Sequence, residues 1–179
     1  MRVIVSGGPG VGKTTLLQAL AARGHAIVPE SARELIRARK AQGQSPRPAP
    51  AEFARALLQR DLDKLAQTPA ASGWTFFDRS PFEALAMLDE ASAPAPAELA
   101  SPQARLALRQ QFHPTVFVLP PWREIYVQDD ERDHDFEHCQ RVHHALVALY
   151  RGLGFVVDTL PCAPVPARVA FVLQALGRK

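Results

Sequence analysis

The stretch that decides the fold of this chain runs Gly7-Gly8-Pro9-Gly10-Val11-Gly12-Lys13-Thr14. It matches the pattern G-x-x-x-x-G-K-[ST], in which glycines let backbone N–H groups turn inward around a phosphate. A β-branched strand at 2–6 precedes it, and apolar residues at helical spacing follow at 13–23. Because strand, loop and helix come in the order that phosphate binding requires, the stretch predicts a nucleoside triphosphate site.

The loop also predicts which residues hold the nucleotide. Lys13 is expected to bridge the β- and γ-phosphates, and the Thr14 hydroxyl is expected to bind Mg²⁺. ATP and Mg²⁺ are therefore the expected cofactors. The predicted cofactor-binding residues are those of the loop and the start of the helix: Gly7, Gly8, Pro9, Gly10, Val11, Gly12, Lys13, Thr14 and Thr15.

Short apolar strands alternate with helices along the rest of the chain. Further strands are predicted at 26–28, 74–77, 115–119 and 155–159, and helices at 31–42, 51–67, 136–151 and 166–176, with others opening at Ser80-Pro81 and Ser101-Pro102. Capping boxes are expected at Ser31–Glu34 and Ser80–Glu83. Such an alternation predicts an α/β fold, a three-layer sandwich with a five-stranded parallel sheet, in a single domain spanning 1–179.

Composition excludes several classes of protein. The chain has 179 residues, 47% of them hydrophobic, which excludes a wholly disordered chain. Its apolar runs are all shorter than the roughly 20 residues that a membrane-spanning helix needs. With only Cys139 and Cys162, no disulfide framework forms, so a cytoplasmic location is expected. The net charge of +3 is scattered along the chain, which disfavours a nucleic-acid partner.

Asp78 follows the third predicted strand and is the expected Mg²⁺ carboxylate. Motor-type and AAA+ ATPases usually place an acidic residue after this aspartate, but Arg79 stands here. A Ras-like GTPase needs an Asn/Thr-Lys-x-Asp sequence, and this chain contains no asparagine and no matching lysine. These departures favour a kinase of small molecules within the P-loop class.

Two short motifs support that interpretation by resemblance. Val28-Pro29-Glu30 and Asp78-Arg79-Ser80 resemble the Pro-Glu and Glu/Asp-Arg-Ser motifs of deoxynucleoside and thymidylate kinases. A closer resemblance, over nearly the whole chain, is to small ATPase or kinase domains related to the ribosylnicotinamide kinase domain of the bifunctional NAD-biosynthesis regulator. That resemblance rests on Glu30 with Arg33, on Asp78-Arg79, and on the stretch Pro121-Trp122-Arg123-Glu124-Ile125-Tyr126 followed by Asp130-Glu131-Arg132. It implies a nucleoside- or nucleotide-kinase-like P-loop fold.

The predicted catalytic residues are Lys13, Glu30, Asp78, Arg79, Arg123 and Arg132. Asp78 is either the metal carboxylate or the base, and Glu30 is either the base or an acid favoured by the helix dipole. Arg79 is expected to clamp an acceptor or a phosphate. Arg123 and Arg132 lie in an expected lid segment at about 120–135 and would neutralise the transferred phosphoryl group. By resemblance, the loop at 161–166 would bracket adenine.

The lid segment and its surroundings are unusually acidic, with Asp129, Asp130, Glu131, Asp133, Asp135 and Glu137. These acids either form a solvated loop or, with Trp122 and Tyr126, receive a cationic acceptor such as a pyridinium riboside. The sequence thus predicts a kinase that phosphorylates a hydroxyl of a small nucleoside-like acceptor. Two alternatives stay open, an NTP-binding regulatory or slow ATPase module and a nucleic-acid-linked ATPase.

Overall fold

Five parallel strands form one sheet in the part of the chain that the computed structural model describes, residues 1–46, 48–69, 73–125 and 136–177. The strands are β1 (Arg2–Gly7), β2 (Ala26–Val28), β3 (Thr75–Asp78), β4 (Phe112–Leu119) and β5 (Val156–Thr159). Their order across the sheet is β2-β3-β1-β4-β5, so β1 lies at the centre. The predicted α/β fold with a five-stranded parallel sheet is confirmed.

Among the described residues, seven α-helices connect and cover these strands. They are α1 (Lys13–Ala21), α2 (Ser31–Ala41), α3 (Pro50–Gln67), α4 (Pro81–Glu90), α5 (Pro102–Arg109), α6 (Phe136–Gly152) and α7 (Val165–Gly177), and a 3₁₀ turn spans Ala97–Leu99. Helices α1 and α7 pack on one face of the sheet, whereas α3 and α4 pack on the other. None of the helices in the described residues combines the length and the hydrophobicity of a membrane-spanning segment.

Strand β1 contributes side chains to both hydrophobic cores. Val3 and Val5 pack with α1 and α7, and Ile4 packs with the helices on the opposite face. All three side chains are fully buried. This is the pattern expected of a central parallel strand that has helices on both sides.

Strand β4 begins three residues earlier than the sequence predicts. The prediction started at 115, and the preceding residue, Pro114, lacks an N–H group for the sheet. In the structure the pairing of β1 with β4 is irregular between Arg2 and Ile4, and the two extra residues of β4 there accommodate the proline.

Both expected capping boxes are wrong, although both helices begin where the pattern places them. Ser31 opens α2, but its hydroxyl donates to Asp61 instead of capping the helix, and Glu34 pairs with Lys64. Ser80 precedes α4, and its hydroxyl bonds to that of Tyr150 at 2.9 Å. Tertiary partners displace the local hydrogen bonds in both places, whereas the Ser101 cap of α5 forms as expected.

Candidate active site

The sheet brings the phosphate loop and Asp78 side by side. Strands β1 and β3 are parallel neighbours, and Val5 is paired with Asp78. Glu30 follows β2, which pairs with β3 through Val28 and Phe77. Because parallel strands end at the same edge of a sheet, three sequence-predicted groups meet there.

The loop between β1 and α1 has the backbone conformation that its glycines permit. Gly10 and Gly12 have φ angles of 75° and 83°, in the region that side chains disfavour. Lys13 bends back over the loop, and its Nζ donates to the carbonyl oxygens of Gly7 at 3.0 Å and Gly8 at 3.2 Å. The lysine ammonium is therefore held above the loop, where a phosphate would meet it.

Lys13 is a buried cation, with 8% of its surface exposed. Burial and the nearby Arg79 lower the pKa of its ammonium to about 8, against the opposing effect of Asp78 and Glu30. A group desolvated in this way gains more from an arriving anion than a surface lysine does. The electrostatics of the site therefore favour a phosphate at Lys13.

Asp78 presents a buried oxygen, Oδ1, that has no hydrogen-bond partner. Burial raises the pKa of its carboxyl, and Lys13 counteracts part of that increase. The side chains of Thr14 and Thr15 are exposed at the start of α1. A hydroxyl and an unpartnered carboxylate oxygen are hard oxygen donors of the kind that Mg²⁺ prefers, so Thr14 and Asp78 fit the predicted metal.

Arg79 lies at the centre of a carboxylate network. Its Nε donates to Glu30 Oε1 at 2.9 Å, and its Nη1 donates to Glu83 Oε2 at 2.7 Å. Although burial opposes it, Glu83 and Glu30 raise the pKa of the guanidinium above its ordinary value. The residue also has a φ angle of 74°, a conformation that costs about 1–3 kcal/mol and persists where the surroundings enforce it.

Glu30 faces the site while it also precedes helix α2. Its Oε2 lies 3.2 Å from Arg33 Nε, and its Oε1 accepts from Arg79. Burial would raise the pKa of the Glu30 carboxyl, but Arg79 and Lys13 lower it below the usual value. Glu30 is therefore an oriented, ionised carboxylate at neutral pH.

Glu83 is a site residue that sequence reasoning missed. Its Oε1 accepts from Ser6 Oγ at 2.7 Å and from the Tyr150 hydroxyl at 2.6 Å, and its Oε2 accepts from Arg79. Ser6 directly precedes the phosphate loop, and Tyr150 is a fully buried residue of α6. One carboxylate thus connects β1, α6 and the turn that carries Arg79.

Asp61 is a second missed carboxylate, on α3 beside the network. Its Oδ1 accepts from the Ser31 hydroxyl. Burial raises the pKa of Asp61 to about 6 despite that hydrogen bond, and Glu83 adds to the increase. The proton is bound more tightly in the folded chain than in the unfolded one, so the contribution of Asp61 to stability is fully present below about pH 4 and is lost as pH rises through about 6.

We expect Asp61→Asn to stabilise the protein at pH 7.5. The shift in pKa corresponds to a gain in the free energy of unfolding of roughly 3 kcal/mol at most. Because Asp61 is partly exposed to solvent, the expected gain is smaller, about 1–2 kcal/mol. The asparagine oxygen still accepts from Ser31. In urea unfolding, the free energy of unfolding of Asp61→Asn should exceed that of wild type at pH 7.5, and most of this difference should disappear at pH 4.5. As a control, Asp63→Asn on the exposed surface should change the free energy of unfolding little at either pH. A variant less stable than wild type at both pH values would contradict this interpretation.

The segment after β4 contributes Trp122 and Arg123. Arg123 is exposed, and its guanidinium lies 4.6 Å from the centre of the Phe136 ring. Trp122 instead lines a shallow surface depression beside the phosphate loop, together with Val11, Leu119, Pro120, Pro161, Cys162 and Arg168. The role predicted for Arg123 stays a prediction. Arg132 and the rest of the expected lid at 126–135, including its aspartates, lie outside the described residues.

The fold and this geometry together define a P-loop nucleotide-binding protein. Over residues 2–168 the chain matches the family described as an AAA domain, and it belongs to that family. No curated protein matches the chain. Asp78 is followed by Arg79 in place of an acidic residue that would activate water, so the family sets the nucleotide-binding fold without specifying the reaction.

Several solved structures, two of them kinases, share the fold at low sequence identity. NadR protein in complex with NR aligns with a TM-score of 0.67 and 22% identity, over 98% of this chain and 50% of that one. Deoxyadenosine kinase from M. mycoides aligns with a TM-score of 0.67 and 13% identity, over 100% of both chains. Shikimate kinase from Aquifex aeolicus aligns with a TM-score of 0.57 and 12% identity, over 99% of this chain and 96% of that one. The chain thus spans about half of NadR and all of a deoxyadenosine kinase.

Proposed function

We propose that the chain is an Mg²⁺-ATP-dependent kinase that transfers the γ-phosphoryl group of ATP to a hydroxyl of a small nucleoside-like acceptor. The observation that carries the proposal is the meeting of Lys13, Asp78 and the Glu30–Arg79 pair at one edge of the sheet. The kinase fold of the neighbouring structures supports it. The free thiols of Cys139 and Cys162 agree with the predicted cytoplasmic location.

In this proposal Asp78 and Thr14 hold the metal ion. Bound Mg²⁺ would neutralise phosphate charge and orient the γ-phosphoryl group. Asp78 suits this role better than that of the base because its Oδ1 has no hydrogen-bond partner. Lys13 and the inward N–H groups of the loop would hold the β- and γ-phosphates.

Glu30 would hold the acceptor hydroxyl. Arg79 and Arg33 each occupy one of its oxygens and leave further lone pairs for an incoming O–H donor. The hydroxyl oxygen then forms a bond to the γ-phosphorus, the bond to the β–γ bridging oxygen breaks, and ADP leaves. The hydroxyl proton passes to Glu30. Since Glu30 is a weak base, we expect positioning to contribute more than proton abstraction.

Release of ADP from Mg²⁺-ATP, with and without acceptors, tests the proposal. The acceptors would be nicotinamide riboside, deoxynucleosides and aminoglycosides. We expect one class to stimulate turnover by 10-fold or more, with the stimulation lost in Lys13→Ala and Asp78→Ala. Slow turnover indifferent to every acceptor would instead support the regulatory or slow ATPase module. Stimulation by DNA or RNA, with steep salt dependence, would support a nucleic-acid-linked ATPase.

A further inference from the structure

Arg168 is a buried cation for which the described part of the chain provides no carboxylate partner. Only 5% of its surface is exposed, and its Nε forms no hydrogen bond. Burial lowers the pKa of its guanidinium, and Cys162 offsets part of that decrease. A buried cation is stabilised by a negative charge close to it, and an anion bound at the neighbouring phosphate loop would supply one.

The position of Arg168 indicates where that charge would lie. A Cβ atom added to Gly12 would stand 2.9 Å from its Nη1 and 3.5 Å from its Nη2, so the guanidinium lies directly against the phosphate loop. Its central carbon is 5.6 Å from the centre of the Trp122 ring. Arg168 is also in the first turn of α7, where the helix dipole disfavours a cation unless an anion is close.

The other cations of the site differ from Arg168 in this respect. Arg79 has ion pairs to Glu30 and Glu83, and Lys13 lies close enough to Asp78 for their charges to interact. These carboxylates offset part of the positive charge of Arg79 and Lys13 before any nucleotide arrives. Among the described residues no carboxylate does so for Arg168, so an anion on the loop would supply its counter-charge.

We propose that Arg168 binds the polyphosphate of the nucleotide, and that Trp122 holds its guanidinium beside Gly12. This inference rests on the proposed function, because it assumes a nucleoside triphosphate on the phosphate loop. Planar guanidinium groups bind phosphate oxygens through paired N–H donors, and the aromatic face of Trp122 restricts the side chain to that orientation. Arg168 is thus a nucleotide-binding residue that α7 contributes.

Arg168→Met tests the inference because methionine keeps a long side chain against Trp122 but removes the charge. Isothermal titration with ATP and with inorganic tripolyphosphate should show binding about 10- to 100-fold weaker than wild type for both. Thermal unfolding without nucleotide should be unchanged or shifted upwards, since an uncompensated charge is removed. Arg168→Lys, which keeps the charge without the planar fork, should bind tripolyphosphate more tightly than Arg168→Met.

Arg109→Met is the matched control, because Arg109 also lies over an aromatic ring, 4.7 Å from the centre of Phe155. It should bind ATP as wild type does. Wild-type affinity in both Arg168 variants would overturn the inference and leave the proposed function intact. A large loss of stability in Arg168→Met with unchanged affinity for ATP would also overturn it, since Arg168 would then be structural. Wild-type protein that binds neither ATP nor tripolyphosphate would overturn the proposed function and the inference together.

Discussion

Asp78→Asn is expected to lower kcat of the acceptor-stimulated reaction by about 10³-fold, because the neutral asparagine amide is a weaker Mg²⁺ ligand than a carboxylate. The variant keeps the shape of the side chain and removes the charge. Asp78 Oδ1 is buried without a partner, but the charge of Asp78 also stabilises the ammonium of Lys13, so we expect the two effects on stability to offset each other in part. Initial rates over a range of Mg²⁺ concentrations, together with thermal unfolding, measure both effects.

Asp63→Asn on the exposed surface of α3 is the control for this substitution, and its kcat should equal that of wild type. The requirement for Mg²⁺ should rise in Asp78→Asn, so that part of the activity returns only at high metal concentration. Asp78→Asn with a kcat within threefold of wild type, at an unchanged Mg²⁺ optimum, would remove Asp78 from the proposed metal site.

Glu83→Ala is expected to destabilise the protein by about 3–5 kcal/mol, since it leaves Arg79 without one of its two carboxylates. For a chain of this length that corresponds to a fall in Tm of roughly 10 °C. The hydroxyls of Ser6 and Tyr150 also lose their acceptor. Urea unfolding monitored by circular dichroism measures the change.

Two companion variants separate the charge from the hydrogen bonds. Glu83→Gln keeps an acceptor for the Tyr150 hydroxyl and should therefore destabilise the protein less than Glu83→Ala does. Tyr150→Phe should lower the free energy of unfolding by about 1–2 kcal/mol. In the double variant its effect should not add fully to that of Glu83→Gln, because Tyr150 and Glu83 share one hydrogen bond. If Glu83→Ala lowered the free energy of unfolding by less than 1 kcal/mol, the hydrogen-bond network around Arg79 would not be what stabilises the site.

The phosphate loop could be predicted from sequence because it is contiguous. Lys13 and its glycines lie within a single strand–loop–helix unit, and every group that shapes the loop is close in sequence. Asp78 could be predicted almost as directly, since it ends an apolar strand. Its proximity to the loop then follows from the rule that parallel strands end at one edge of the sheet.

Glu83 shows where such prediction stops. Glu83 lies three residues after Ser80 at the start of a helix, which is the spacing of a capping box. The local sequence pattern does not indicate that Glu83 has distant partners. In the structure Glu83 bonds to Ser6 and Tyr150, which are 77 and 67 residues away. Arg168 is a comparable case, because its closeness to Gly12 depends on the packing of α7 against α1. Contacts of this kind arise from tertiary packing, which a linear pattern does not encode.

Strand β1 determines how the phosphate loop takes part in unfolding. Its Val3, Ile4 and Val5 are fully buried, and they alternate between the two cores of the sheet. The amide protons of such a strand exchange with solvent only when both cores open, which requires global unfolding. We therefore expect the loop to be anchored to a strand whose amide protons are among the slowest to exchange. A nucleotide bound there would stabilise the whole native state by mass action, and its protection against exchange would extend to both faces of the sheet.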